Sequence, residues 1–119
     1  GISYANYSSE EDSILKRELK ISQDIESAIK EDQFYLVYQP ILEYKTERVT
    51  KLEALIRWQH PTLGLLSPME FIPICERSGN VYELSQWVLK TACEQCKAYQ
   101  LLDGDITISV NISGRVFNQ

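Results

Sequence analysis

Residues 49–58 alternate between apolar and polar positions. Strand side chains point to opposite faces in turn. Thr50, Leu52, Ala54, Ile56 and Trp58 therefore form a mostly apolar row, and Val49, Lys51, Glu53, Leu55 and Arg57 a row with three charges. A wet edge strand gives the same pattern, so neighbouring segments must decide. Residues 34–41 are aromatic and β-branched, with Pro40 near their end, and predict a second strand. Residues 105–113 predict a third, with Ile106, Ile108, Val110 and Ile112 on one face and Thr107, Ser109, Asn111 and Ser113 on the other.

Between these strands the period changes to that of a helix. Ile14, Leu15, Ile21, Ile25, Ala28 and Ile29 recur at helical spacing, and Ser8 or Ser9 before Glu10, Glu11 and Asp12 reads as the helix start. A polar turn at residues 43–48 makes the first two strands antiparallel neighbours. Residues 59–67 read as a loop punctuated by Pro61 and Gly64. Ser67, Pro68 and Glu70 then open a helix that stops at Gly79. A further helix is expected over residues 81–100, burying Leu84, Trp87, Val88, Ala92, Cys93 and Cys96, with Asp103 and Gly104 turning into the last strand.

Helices between strands require a crossover, hence a partly parallel α/β sheet. Residues 1–32 are read as a tail and an amphipathic connector helix, and residues 33–119 as the α/β domain that follows it. Residues 114–119 look like the start of a connection to a further element. The sheet is expected to have an open edge and an uncovered face, so the domain reads as incomplete, and pairing of two copies through that edge is a plausible consequence.

Composition narrows the chemistry. The chain has 119 residues, is 44% apolar and carries a net charge of −5, which describes one small globular domain or a piece of a larger one. Without a basic stripe it is a poor match for DNA or RNA polymers or for an anionic membrane surface. An anionic ligand would need a bound cation or a local arginine. Cys93 and Cys96 have a metal-like spacing, but the chain has three cysteines and one histidine; too few ligands accompany the pair for a zinc site. The odd cysteine count and the lack of any apolar run of about 20 residues suit a cytoplasmic protein without direct membrane contact.

Gln39, Glu53, Arg57 and Asn111 lie on polar faces of three expected strands. A carboxylate, amide oxygens and a guanidinium suit a hard metal ion and a phosphate if one sheet brings them together. The blocks around them also occur in a known order: Tyr38-Gln39-Pro40-Ile41, Glu53-Ala54-Leu55 with Arg57-Trp58, His60-Pro61 with Gly64, Leu66-Ser67-Pro68 with Phe71-Ile72-Pro73, and Val110-Asn111-Ile112-Ser113. In these the chain resembles the N-terminal part of the EAL domain, the bacterial cyclic di-GMP phosphodiesterase module.

The resemblance implies an incomplete TIM-barrel-like α/β fold whose first strand is antiparallel. A full barrel needs roughly 250 residues, with the site at the C-terminal ends of its strands. Glu53 would be catalytic and a ligand of Mg²⁺ or Mn²⁺, and Asn111 a second ligand. Gln39, Leu55, Arg57, Leu66 and Pro68 would bind the substrate, cyclic di-GMP, which the family hydrolyses to linear pGpG. The family's later motifs have no counterpart here, so the segment alone is expected to be inactive. The alternatives are a non-catalytic cyclic di-GMP receptor and a self-associating interaction module.

Overall fold

The computed structural model describes residues 4–103, 106–112 and 115–118, with side chains at 9–97, 106–110 and 112. The order of elements is α1 (Tyr4–Lys30), β1 (Phe34–Leu42), β2 (Val49–His60), β3 (Gly64–Leu66), α2 (Pro68–Ser78), α3 (Val81–Asp103), β4 (Thr107–Ile112) and β5 (Arg115–Asn118). One sheet runs β1-β2-β4-β5, with β3 paired to β2. β1 is antiparallel to β2, and the α2–α3 crossover returns the chain as β4, parallel to β2. This is the antiparallel first strand and partly parallel sheet that the pattern implies.

The helices cover one face. Ile21, Ile25 and Ala28 of α1, Phe71 and Cys75 of α2, and Leu84, Val88 and Ala92 of α3 meet Phe34, Ala54, Ile56, Trp58, Ile108 and Val110 in one core. At its centre Trp58 packs edge-on against Phe71, with ring centroids 5.5 Å apart, and tilted against Phe34 at 4.8 Å. The indole Nε1 donates to Gln33 Oε1 at 3.0 Å, which satisfies its buried polar atom. Burial pushes the Cys75 thiol up to about 11, so it serves as a packing group and not a nucleophile.

The ends of α2 follow their local chemistry. Ser67 Oγ accepts from Met69 N, Pro68 begins the helix, and Gly79 takes the left-handed conformation (φ 82°) that ends it. Asn80 N donates to Cys75 O and Gly79 N to Glu76 O, closing a Schellman motif.

Other boundaries differ from expectation. α1 starts at Tyr4, before Ser8, because residues 4–9 hold no glycine or proline to stop propagation toward the N-terminus. The expected loop at 59–67 is instead a hairpin: β2 runs on to His60 and β3 pairs back through His60↔Gly64 and Trp58↔Leu66. The His60 ring drives this, since Nδ1 accepts from both Thr62 N and Leu63 N and closes the turn. Cys96 is buried as expected, whereas Cys93 is exposed. Residues 115–118 are not a connection leading away but a strand antiparallel to β4, so the edge of β4 is occupied. The expected turn at Gly104 and the strand ends Asp105 and Ser113 lie outside the described residues.

Candidate functional site

The sheet face turned away from the helices carries the polar row. Gln39 on β1 lies directly across from Glu53 on β2, and Glu53 is level with Ser109 on β4. Directly paired residues share a face, with Cβ atoms about 5 Å apart, so one rung carries an amide, a carboxylate and a hydroxyl. Leu55 and Arg57 follow Glu53 at alternate positions on the same face. Arg57 is roughly 13 Å from Glu53 along the strand. Position 111 is one pleat beyond Ser109 on β4, about 7 Å further along; its side chain lies outside the described residues.

Burial grades this face. Glu53, Leu55 and Arg57 are half-buried, Gln39 is exposed, and Ser109 is buried. Arg57 Nη1 donates to the Ile56 carbonyl at 2.9 Å, which folds the guanidinium along the strand and uses one of its five donors. Apolar side chains of β1 flank the rung on this face: Tyr35, Val37 and Ile41 are all exposed.

Glu53 is not near the C-terminal end of its strand, where the resemblance to a barrel enzyme would place it. It is the fifth of twelve residues in β2, because the strand continues through the hairpin to His60. It does lie within the short stretch, Lys51 to Ala54, that pairs with β4. Asn111 is next to the last residue of β4. The structure does not bring Leu66 to this face. Its pairing with Trp58 puts it on the helix side, 1% exposed within the core. Pro68 is half-buried at the first turn of α2.

A hard divalent cation takes about six oxygen ligands. Among the described residues no group of three or more His, Cys, Asp or Glu side chains can hold a metal. Glu53 with the neighbouring amide and hydroxyl oxygens is the right donor type but only part of a coordination shell.

Sequence spacing gave no sign of one further polar group. His60 is 2% exposed, and its Nε2 lies 2.6 Å from Asp24 Oδ2 on α1. The partners are 36 positions apart. The His60-Pro61 block was visible as a motif, but the helix pattern does not single out Asp24.

The match to a family model covers residues 22–119, and its description is EAL domain. The chain belongs to the EAL domain family. Cyclic di-GMP phosphodiesterase PA2567 of Pseudomonas aeruginosa is 36% identical over 114 residues, 95% of this chain and 19% of that protein. Cyclic di-GMP phosphodiesterase NbdA of the same organism is 40% identical over 96 residues, 80% of this chain and 12% of that protein. Among solved EAL structures, the PaMucR phosphodiesterase in complex with c-di-GMP superposes with a TM-score of 0.73 at 34% identity, over 79% of this chain and 38% of that one. The chain thus spans under a fifth of these curated relatives and about two fifths of the solved EAL chain. Its α/β, TIM-barrel-like architecture is that of part of an EAL domain. No helix among the described residues is long and apolar enough to cross a membrane.

Proposed function

We propose that this segment is the N-terminal part of the EAL domain of a cytoplasmic, metal-dependent phosphodiesterase that hydrolyses cyclic di-GMP to linear pGpG. The observation that carries the reading is the Gln39–Glu53–Ser109 rung, with Leu55 and Arg57 on the same side of the sheet. Similarity to named cyclic di-GMP phosphodiesterases and to a c-di-GMP complex supports it.

In this reading Glu53 and Asn111 would hold Mg²⁺ or Mn²⁺ together with ligands from outside the chain. A bound divalent cation lowers the pKa of a coordinated water and neutralises charge on phosphate oxygens. Gln39 and Leu55 orient the dinucleotide, and the Arg57 fork holds a phosphate or a guanine edge with donors that Ile56 leaves over. Pro68 contributes from the start of α2. Leu66 acts from below, by fixing the hairpin against Trp58. With only a partial ligand set, the 119-residue chain binds the dinucleotide weakly and does not turn it over.

Calorimetric titration of cyclic di-GMP with Ca²⁺ present tests the reading. Saturable binding that is lost in Arg57→Ala supports a half-organised site. Binding without any pGpG formed in Mg²⁺ or Mn²⁺ is the expected companion result, and turnover that survives Glu53→Ala would overturn the assignment. Self-association through an open strand edge is the weaker alternative. β5 occupies the edge of β4 and is itself an edge strand of only 4 residues, short for pairing with a second copy, and Pro40 removes a donor from the other edge strand, β1. Light scattering at high concentration should therefore report a monomer.

A further inference from the structure

Three polar contacts at the end of β2 lead to α1 or the link that follows it. Gln59 N donates to Gln33 O at 2.9 Å, and Trp58 Nε1 donates to Gln33 Oε1 at 3.0 Å. His60 contacts Asp24, the one partner on the body of the helix. The ring's tautomer follows from its neighbours. Nδ1 accepts from Thr62 N at 3.1 Å and Leu63 N at 3.0 Å, so the hydrogen is on Nε2 and points at the Asp24 carboxylate. One imidazole thereby closes the β2–β3 hairpin and fastens it to α1.

The helix it fastens is divided. Ile21, Ile25 and Ala28 are fully buried, whereas Ile14, Leu15 and Leu19 are each about three-fifths exposed. Asp24 sits within the buried half, next to Lys20, which pairs with it at 3.3 Å. A shallow pocket of about 230 Å³ opens beside the pair, among Lys20, Ser27, Glu31 and Thr62. Both residues line this pocket, but the Asp24 side chain is 29% exposed and the His60 ring 1%, so the carboxylate is the more solvent-facing half of the contact.

We infer that Asp24 and His60 form a clasp through which the position of α1 sets the geometry of β2, the strand that carries Glu53, Leu55 and Arg57. His60 and Asp24 are positioning residues: neither faces the polar rung, and both act through the strand. The coupling has a short path, because Arg57 precedes Trp58 and is three residues from His60. A charge-assisted hydrogen bond with one buried partner is strong enough to hold a helix in register. The inference rests on the proposed function only for what the rung would bind, not for the coupling itself.

The test uses the 119-residue chain labelled with ¹⁵N and no ligand. The imidazole spectrum should show hydrogen on Nε2 and none on Nδ1. In Asp24→Ala, backbone amides of β2 around Leu55 and Arg57 should shift, and exchange of the α1 amides around Ile21 and Ile25 should accelerate about tenfold. Asp24→Asn keeps an acceptor for Nε2–H and should restore the wild-type spectrum. His60→Asn keeps an acceptor for the two turn amides but loses the reach to Asp24, and should reproduce Asp24→Ala.

If Asp24→Ala leaves β2 unshifted and changes only its own helical turn, the pair is a local contact and the inference is wrong. If Asp24→Ala fails to fold, the comparison of Asp24→Asn with His60→Asn takes its place, and identical β2 resonances in those two would overturn the inference. Cyclic di-GMP enters none of these readouts. A chain that shows the coupling yet ignores the dinucleotide refutes the phosphodiesterase reading and leaves the clasp intact.

Discussion

The face of the sheet turned toward the helices and the face turned away are built by the same strands, yet they do different work. On the helix side Ala54, Ile56, Trp58, Ile108 and Val110 are all nearly or fully buried. On the other side Gln39, Glu53, Leu55 and Arg57 remain open or half-open. Because the pleat repeats every two residues, each stabilising side chain on β2 is followed by one that is available for chemistry. Packing on one face holds the backbone still while the other face presents a carboxylate and a guanidinium at fixed spacing. The packed face and the open polar face are thus separated by a single residue step.

The largest effect should come from the covered face. Trp58→Ala removes the centre of the aromatic cluster and strands Gln33, so urea denaturation should report a loss of about 3–5 kcal/mol. Ile108→Val, a smaller cut in the same core, should cost about 1 kcal/mol. Arg57→Ala on the open face reverses the pattern. Its stability should stay within about 0.5 kcal/mol of wild type, since the guanidinium has one backbone hydrogen bond to lose, while calorimetric binding of cyclic di-GMP disappears. Equal losses of stability in Trp58→Ala and Arg57→Ala would break the division between the faces.

Smaller effects probe where the helix layer is tied down. The hydrogen bond from His60, with Lys20 adding to it, outweighs partial burial and holds the Asp24 carboxyl below its ordinary range. A group with a depressed folded-state pKa adds stability above its unfolded pKa and loses it as pH falls through the folded value. Denaturation of wild type and Asp24→Asn should therefore differ at neutral pH, with wild type the more stable. The gap should close below about pH 4, the ordinary carboxylate range. Smallest of all should be Glu70→Gln. It cuts an exposed contact between Arg17 on α1 and the first turn of α2, worth less than about 1 kcal/mol, and the difference should shrink further in high salt.

Much of this division was legible in the chain itself. Alternation in residues 49–58 sorts Ala54, Ile56 and Trp58 from Glu53, Leu55 and Arg57 without reference to any neighbour, because strand periodicity is a property of the local backbone. Ser67, Pro68 and Gly79 mark the ends of α2 for the same reason: capping involves groups a few residues apart. The ordered blocks from Gln39 to Asn111 carry the family. Tertiary structure decided the rest. Register alone sets Gln39 and Ser109 beside Glu53, since pairing partners are chosen by the fold and not by either strand. Leu66 belongs to the core because the β2–β3 hairpin folds it under Trp58. The helical stripe of α1 runs through Ile14 as readily as through Ile21, and only packing shows that one is exposed and the other buried. Asp24 and His60 meet across 36 positions, where no local spacing rule reaches. Short-range patterns are written in the residues; contacts between distant elements exist only once the chain has closed on itself.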